Sequence, residues 1–372
     1  MALRLYAEIS LNSGLSMSAK PTFSKVEIHG SGLIGTSIAL ALAQFDVEVR
    51  MVDSDKRSEA LAQELVGPTP DEDFTPELVI SAVPISAFTS VVSALEERDF
   101  KGAFIDVASV KTKVKVEVST SKLASERFLP THPMAGREVG GAESARSDLF
   151  QGRAWIIDST GVDNQVLTKA KSLIAALGAD LVDLPVAEHD KAVALISHLP
   201  QVIASLLAKQ LSGNPESWLT LAGSGLRDTT RIAASDPKLW REIISTNSEA
   251  IKPLLKNFSQ DLIEFIDVVG DERAVEKLIS DGQGGRSAIP GKHGGKVREY
   301  AYLPIVIEDK PGQLAAIFNE CARANVNIED LSIEHSPGQE TGLITLAISP
   351  TDSEKLSDHL SKAGWSVHAP RA

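Results

Sequence analysis

The sequence predicts an α/β protein in three parts: a parallel-sheet domain, an all-helical domain and a small C-terminal domain of βαββαβ order. Three observations predict it. From Phe23 onward, short apolar strands alternate with helical segments, the pattern of a parallel sheet covered on both faces. After about Pro185 helical periodicity takes over, and no convincing strand is found up to Val269. Beyond a glycine-rich stretch the order is strand, helix, strand, strand, helix, strand, a split βαβ sandwich of ferredoxin-like kind.

Taken in order, FSKVEIHG alternates as a strand, SGLIG punctuates it, TSIALALAQF has helical spacing and VEVRMVD is a second strand. LVISAV (78–83), AFIDVA (103–108) and RAWIID (153–158) read as further strands. AVALISHLPQVIASLLAKQL is apolar over most of its length, so it belongs in a helical core or a subunit interface. In the next long helical region, LWREIISTNSEAIKPLLKNFSQDLIEFIDVV, Pro253 is expected to kink or break the helix. DGQGGRSAIPGKHGGK holds six glycines with scattered basic residues, a flexible-linker composition. The expected parts are therefore a loose tail over 1–20, the sheet domain over 21–186, the helical domain over 187–280, a linker over 281–299 and the small domain over 300–372.

Composition narrows the function. With 50 acidic and 37 basic residues the net charge is -13, which argues against a nucleic-acid coat or an anionic membrane surface as partner. Cys321 is the single cysteine among 372 residues, so no intramolecular disulfide forms and a reducing, cytoplasmic location is favoured. No apolar run is read as reaching the ~20 residues of a membrane span. The first twenty residues lack the apolar core of a signal peptide and carry Glu8.

Gly30, Ser31, Gly32, Leu33, Ile34 and Gly35 form a full G-x-G-x-x-G between a strand and a helix, the context that gives this otherwise weak pattern meaning. Gly30 allows the tight turn, Gly32 lets a pyrophosphate approach the backbone, and Gly35 lets helix and strand pack closely. The sheet domain is thus of Rossmann type. Asp53 ends the second strand, where a carboxylate binds ribose hydroxyls and repels a 2′-phosphate. NAD is the expected cofactor, although Arg50 and Arg57 keep NADP open. Val83 and Pro84, at the end of LVISAV, are assigned to the same cofactor site.

THPMAGRE (131–138) places His132 beside a proline and ahead of small residues, just after the short FLP strand. A histidine there can face a bound ligand as proton acceptor, or be satisfied by backbone groups in a turn. DVASVK puts Ser109 after another strand, as a ligand contact or a helix N-cap. In SHLPQ, His198 and Gln201 share a face if the helix continues through Pro200. LRDTTRIAASDPKLW sets Arg227 and Arg231 one turn apart, suited to a carboxylate or to a surface pair with Asp228. The histidines show no metal-ligand spacing, and no metal is expected.

GSGLIG, DVASVK, THPMAGRE, SHLPQ and RDTTRIAASDPKLW, in that order over residues 24–270, resemble the prephenate and arogenate dehydrogenase family of tyrosine biosynthesis. The resemblance implies a Rossmann domain followed by a helical domain that makes a homodimer. It implies NAD-dependent oxidative decarboxylation of prephenate to 4-hydroxyphenylpyruvate, or of arogenate to tyrosine. By position His132 matches the family's catalytic histidine and Arg231 the arginine on the ring carboxylate. Ser109 matches the serine that links histidine, hydroxyl and nicotinamide. Glu138 and Trp240 match positions near the pocket mouth. Many members carry a second histidine where this chain has Gln201, near the substrate side chain.

IEDKPGQLAAIF resembles the opening of an ACT domain, an amino-acid-binding regulatory module, and NVNIEDLSIEH resembles its second half. Asp309, Lys310, Pro311, Gly312, Leu314, Asn327 and Ile328 fall where such domains bind an effector, here tyrosine or another aromatic amino acid, or the domain serves assembly alone. Phosphoglycerate-type and homoserine-type dehydrogenases share this architecture, but THPMAGRE and RDTTRIA argue against them. Intact His132, Ser109 and Arg231 argue against a non-catalytic regulator that only binds NAD and an amino acid.

Overall fold

The computed structural model describes residues 20–71, 73–137, 139–289, 300–335 and 340–370. The expected tail up to residue 19, Glu138 and residues 290–299 of the expected linker lie outside them. The chain forms two compact units, one ending at Ile263 and the other beginning at Glu264.

In the first unit β1 (Lys25–His29), α1 (Leu33–Leu42), β2 (Glu48–Val52), α2 (Lys56–Val66), β3 (Leu78–Ser81), α3 (Phe88–Glu97), β4 (Ala103–Asp106), α4 (Lys111–Ser119) and β5 (Phe128–Leu129) follow in turn. The five strands pair in parallel in the order β2-β1-β3-β4-β5. β3 and β4 are buried along their whole length, as helices on both faces require. Val26, Ile28, Ile38 and Leu42 belong to the larger core cluster. Phe88, Phe104 and Phe128 anchor a second one, with Phe104 and Phe128 centred 5.0 Å apart; each buried ring contributes roughly 1.5–3 kcal/mol.

RAWIID departs from the expected parallel sheet. It forms β7 (Ala154–Ile157), which pairs antiparallel with β6 (Thr131–Pro133) and parallel with β8 (Asp180–Asp183), after α5 (Asn164–Ala176), in a separate three-stranded sheet. A period-two pattern says which face is buried but does not name the neighbour. Trp155 fixes this corner: it is fully buried, packs 5.1 Å from Phe150 and donates Nε1–H to Thr131 Oγ1 at 3.0 Å.

α6 (Val186–Val193) and α7 (Leu199–Lys209) are one helix of 24 residues, joined by a π turn over Ala194–His198. Leu199 N–H reaches back to the Ala194 carbonyl, and Pro200, which has no N–H to give, comes next. The expectation that no apolar run reaches span length therefore fails for the folded helix, which by length and composition alone is long and apolar enough to cross a membrane. Length and composition of this kind also suit a helix at a globular core or interface. Its buried groups include His189, Asp190, His198 and Gln201, while Leu195, Ile196, Leu206 and Leu207 stand exposed. α8 (Glu216–Leu219), α9 (Ser224–Thr230), α10 (Pro237–Thr246) and α11 (Ser248–Val268) follow. α11 runs through Pro253 instead of breaking there; close to a helix start, proline removes only one backbone bond.

The second unit holds α12 (Glu272–Ser287), β9 (Ala301–Glu308), α13 (Gln313–Arg323), β10 (Asp330–His335), β11 (Thr341–Ile348), α14 (Pro350–Lys362) and β12 (Ser366–Val367). α12 carries helix into the glycine-rich stretch expected to be linker. Asp271 starts it by accepting from the N–H groups of Arg273 and Ala274 at 2.8 and 3.3 Å. The antiparallel order β10-β11-β9-β12 is the ferredoxin-like arrangement, with Leu303, Ile305, Ile317, Ile344 and Leu356 in its core.

Candidate active site

The glycine loop leaves β1 at a sharp corner. Gly30 has φ +105°, and a Cβ there would lie 2.4 Å from the Ala82 carbonyl oxygen and 3.0 Å from the Val83 nitrogen. A Cβ on Gly35 would lie 2.0 Å from the Gly30 carbonyl oxygen. Around Gly32 nothing lies within 4 Å of such an atom. The middle glycine therefore borders open space where α1 begins with half-buried Leu33 and Ile34, and where free N–H groups favour an anion. Buried Ser31 donates its N–H to Asp53 Oδ2 at 2.7 Å, and its hydroxyl has no hydrogen-bond partner among the described residues. Arg50 is engaged elsewhere: it donates Nη2–H to the Asp71 carbonyl at 2.6 Å and lies over the Phe74 ring at 4.5 Å. Arg57 is exposed in the first turn of α2. Half-buried Val83 and exposed Pro84 follow β3. Open backbone, an orphan hydroxyl and a carboxylate together fit the phosphates and ribose of a dinucleotide.

β6 presents His132, half-buried. Its Nδ1 lies 2.9 Å from Nε2 of His189, with the rings edge to face. His189 Nδ1 lies 2.8 Å from Asp190 Oδ1. The sequence reading missed both partners; the only signal was the consecutive pair at 189 and 190, at the head of the helical region. The Asp190 carboxylate also takes the N–H groups of Lys111 and Thr112 at 2.8 and 2.9 Å, and so caps α4. Ser109 is therefore not the cap. It stands half-buried in the turn before α4, and its hydroxyl makes no hydrogen bond among the described residues. Asn247, also missed, donates one N–H to the Asp190 carbonyl at 2.8 Å and the other to His198 Nδ1 at 3.1 Å. Below these groups the Lys111 ammonium pairs with Asp106 and donates to the Thr131 carbonyl at 2.6 Å.

Burial sets the charge state. It pushes the His132 imidazole well below its ordinary range, with His189, Lys111 and His198 as neighbours that disfavour a further positive charge. It brings His198 down to about 4. Both rings are therefore neutral at neutral pH. Burial alone would raise the Asp190 carboxyl, but His189 and the backbone N–H groups of Lys111 and Thr112 outweigh it and hold the group at about 2.

The helix continues through Pro200, and His198 and Gln201 are both buried. Gln201 donates Nε2–H to the Ile232 carbonyl at 3.0 Å, in the 3-10 turn Arg231–Ala234. Its buried Oε1 has no partner among the described residues. Trp240 meets the edge of His198 at 6.1 Å and packs on the small cluster of Ile85, Val110 and Ile243. Arg227 and Arg231 are both exposed. Among the described residues no group of three or more metal-ligating side chains could hold an ion.

In the second unit residues 309–312 link β9 to α13. Asp309 N–H donates to the Glu340 carbonyl at 2.8 Å, and Lys310 pairs with Glu308 at 2.7 Å. Pro311 is exposed, Gly312 caps α13 at φ +92°, and Leu314 is exposed on the first turn. Asn327 donates to Glu329 Oε1 at 3.1 Å, and Ile328 packs on the domain core.

Comparison with known proteins agrees with this anatomy. The chain matches the nucleotide-binding domain of prephenate dehydrogenase over residues 38–183, the dimerization domain of prephenate dehydrogenase over 185–280 and an ACT domain over 302–363. The cyclohexadienyl dehydrogenase of Zymomonas mobilis is 32% identical over 257 residues, covering 64% of this chain and 86% of that one. The prephenate dehydrogenase of Lactococcus lactis is 28% identical over 337 residues, covering 85% and 92%. The crystal structure of prephenate dehydrogenase from Aquifex aeolicus, in complex with hydroxyphenyl propionate and NAD+, overlays with a TM-score of 0.64 at 26% identity, over 72% of this chain and 99% of that one. With both domains of that enzyme in the same order, the chain belongs to the prephenate dehydrogenase family.

Proposed function

We propose that the chain catalyses NAD-dependent oxidative decarboxylation of prephenate to 4-hydroxyphenylpyruvate, on the way to tyrosine. The observation that carries this reading is the half-buried imidazole of His132, engaged at Nδ1 by His189 and so left with Nε2 for a substrate. NAD, held along Gly30–Gly35 with Val83 and Pro84 at its border and Asp53 at the ribose, supplies the hydride acceptor.

His132 Nε2 accepts the proton of the ring hydroxyl as hydride leaves the same carbon. That carbon becomes a ketone conjugated to the ring diene. The bond to the ring carboxylate then breaks, carbon dioxide leaves, and the electron pair of that bond makes the ring aromatic. The phenolate so formed takes the proton back, and His132 ends the turnover neutral. Arg231, with Arg227 nearby, orients the ring carboxylate. Ser109 places its hydroxyl between substrate and His132, and His198 and Gln201 serve the side chain.

The helical domain is proposed to form a homodimer. Leu206, Leu207, Trp218, Leu221 and Ile263 are large apolar side chains left exposed in that domain, and a partner copy would cover them. Tyrosine is proposed as feedback effector at Asp309–Gly312, Leu314, Asn327 and Ile328. The reduced, buried Cys321 suits the cytoplasm.

A second reading, arogenate as substrate, has Gln201 on its side. The two amide N–H groups are spent on the Ile232 carbonyl at 3.0 Å and on Ser205 Oγ at 3.4 Å, so only an acceptor oxygen remains. The ammonium of arogenate can donate to it, and the keto group of prephenate cannot.

An NAD-reduction assay with prephenate and with arogenate, with and without tyrosine, tests these readings. His132→Asn is expected to lose turnover by about 100-fold or more while NAD binding is kept. Wild-type turnover in that variant would overturn the reading, and a higher kcat/KM for arogenate would assign the substrate to the amino acid.

A further inference from the structure

We propose that His189 and Asp190 are positioning residues that hold His132 in the tautomer whose Nε2 is the free proton acceptor, and that His189 takes up the charge formed there. This goes beyond the base itself and rests on His132 being that base.

The hydrogen-bond directions follow in one sense only. Asp190 is ionised and can only accept. Its Oδ1 lies 2.8 Å from His189 Nδ1, so that nitrogen carries the hydrogen. With its one ring hydrogen on Nδ1, His189 presents a lone pair at Nε2. His132 Nδ1, 2.9 Å away, must donate to it. His132 is left with its lone pair on Nε2, the ring atom turned away from the pair. The logic is that of a base oriented by a buried carboxylate, with one more imidazole between them.

The same chain handles the proton. When the substrate hydroxyl gives its hydrogen to His132 Nε2, the imidazolium can pass its Nδ1 hydrogen across 2.9 Å to His189 Nε2. The positive charge then rests on His189, against the Asp190 carboxylate. The return of the proton to the phenolate reverses both transfers. His189 is completely buried, so it acts through His132 and touches no substrate. Asp190 is immobile for a reason visible in the fold: its two carboxylate oxygens also cap α4, and its carbonyl is held by Asn247.

The test uses the full chain with His189→Leu, His189→Gln and His132→Asn. His189→Leu is expected to lower kcat about 100-fold with the KM for NAD unchanged. His189→Gln, which keeps an acceptor oxygen facing His132, is expected to recover about tenfold of that loss. In the unaltered protein, nitrogen NMR of the His132 ring near neutral pH is expected to find the hydrogen on Nδ1. Three results decide against the proposal. A hydrogen found on His132 Nε2 would overturn it without any variant. A His189→Leu enzyme as fast as wild type, with His132→Asn inactive, would overturn it alone. Turnover kept in His132→Asn would overturn it together with the base it serves.

Discussion

Gly32 and Gly35 lie three positions apart and meet opposite surroundings. An added methyl at Gly35 runs into the Gly30 carbonyl at 2.0 Å, whereas one at Gly32 meets nothing within 4 Å. Gly35→Ala should therefore cost stability, by about 1–3 kcal/mol, because helix and strand must move apart. Gly32→Ala should leave the denaturation midpoint within about 0.5 kcal/mol of wild type and instead weaken dinucleotide binding, since its methyl fills the space a phosphate needs. Urea melts and cofactor titration of the two variants separate the outcomes; equal destabilisation by both would contradict the geometry. This loop was readable in the sequence because its chemistry is local. His189 was not, because its importance comes from a partner 57 residues away. Ser109 was misjudged as a possible cap for the same reason: the cap it might have supplied comes from Asp190, far along the chain.

Helix α4 shows the same dependence at the level of an element. Its first two N–H groups are satisfied by a carboxylate from α6, not by a residue preceding it. Asp190→Ala removes the acceptor for both and for His189 Nδ1, and should destabilise the fold by at least about 2 kcal/mol. Ser109→Ala should cost less than about 0.5 kcal/mol in the same urea titration. A costly Ser109→Ala with a silent Asp190→Ala would reverse the assignment of the cap. Strands of the parallel sheet were legible from their buried runs, as was the ferredoxin-like order of the last six elements. The placement of β7 was not, because alternation is indifferent to which strand lies alongside. α11 and α12 both outran their breakers, since Pro253 comes early in one helix and a strong Asp271 cap starts the other.

At the scale of the whole molecule, buried titratable groups make the fold sensitive to acid. His198 has its pKa lowered from 6.5 to about 4. Between those values the unfolded chain binds a proton that the folded chain does not, so stability rises with pH across this window and falls as pH drops through it. The loss from this group is about 3 kcal/mol at most. Glu27 is held at about 2: burial would raise it, but His29 and Arg98 outweigh that. Its stabilisation is complete above the ordinary value of 4.5 and disappears as pH falls toward 2. Thermal melts between neutral pH and about pH 4.5 should show a steep decline in wild type and a shallower one in His198→Asn; parallel curves would exclude His198 as a cause. The succession of sheet, helices and sandwich could be read from changes of periodicity, but the seam between sheet and helices could not, because polar contacts across it follow no repeat. That seam has a further consequence. A single aspartate fastens a helix of the nucleotide-binding half, a histidine of the helical half and, by its main chain, the turn before α11. Severed near residue 185, one fragment would own a histidine without its anchor and the other an anchor without its histidine, so neither could be handed to a new scaffold as a working part.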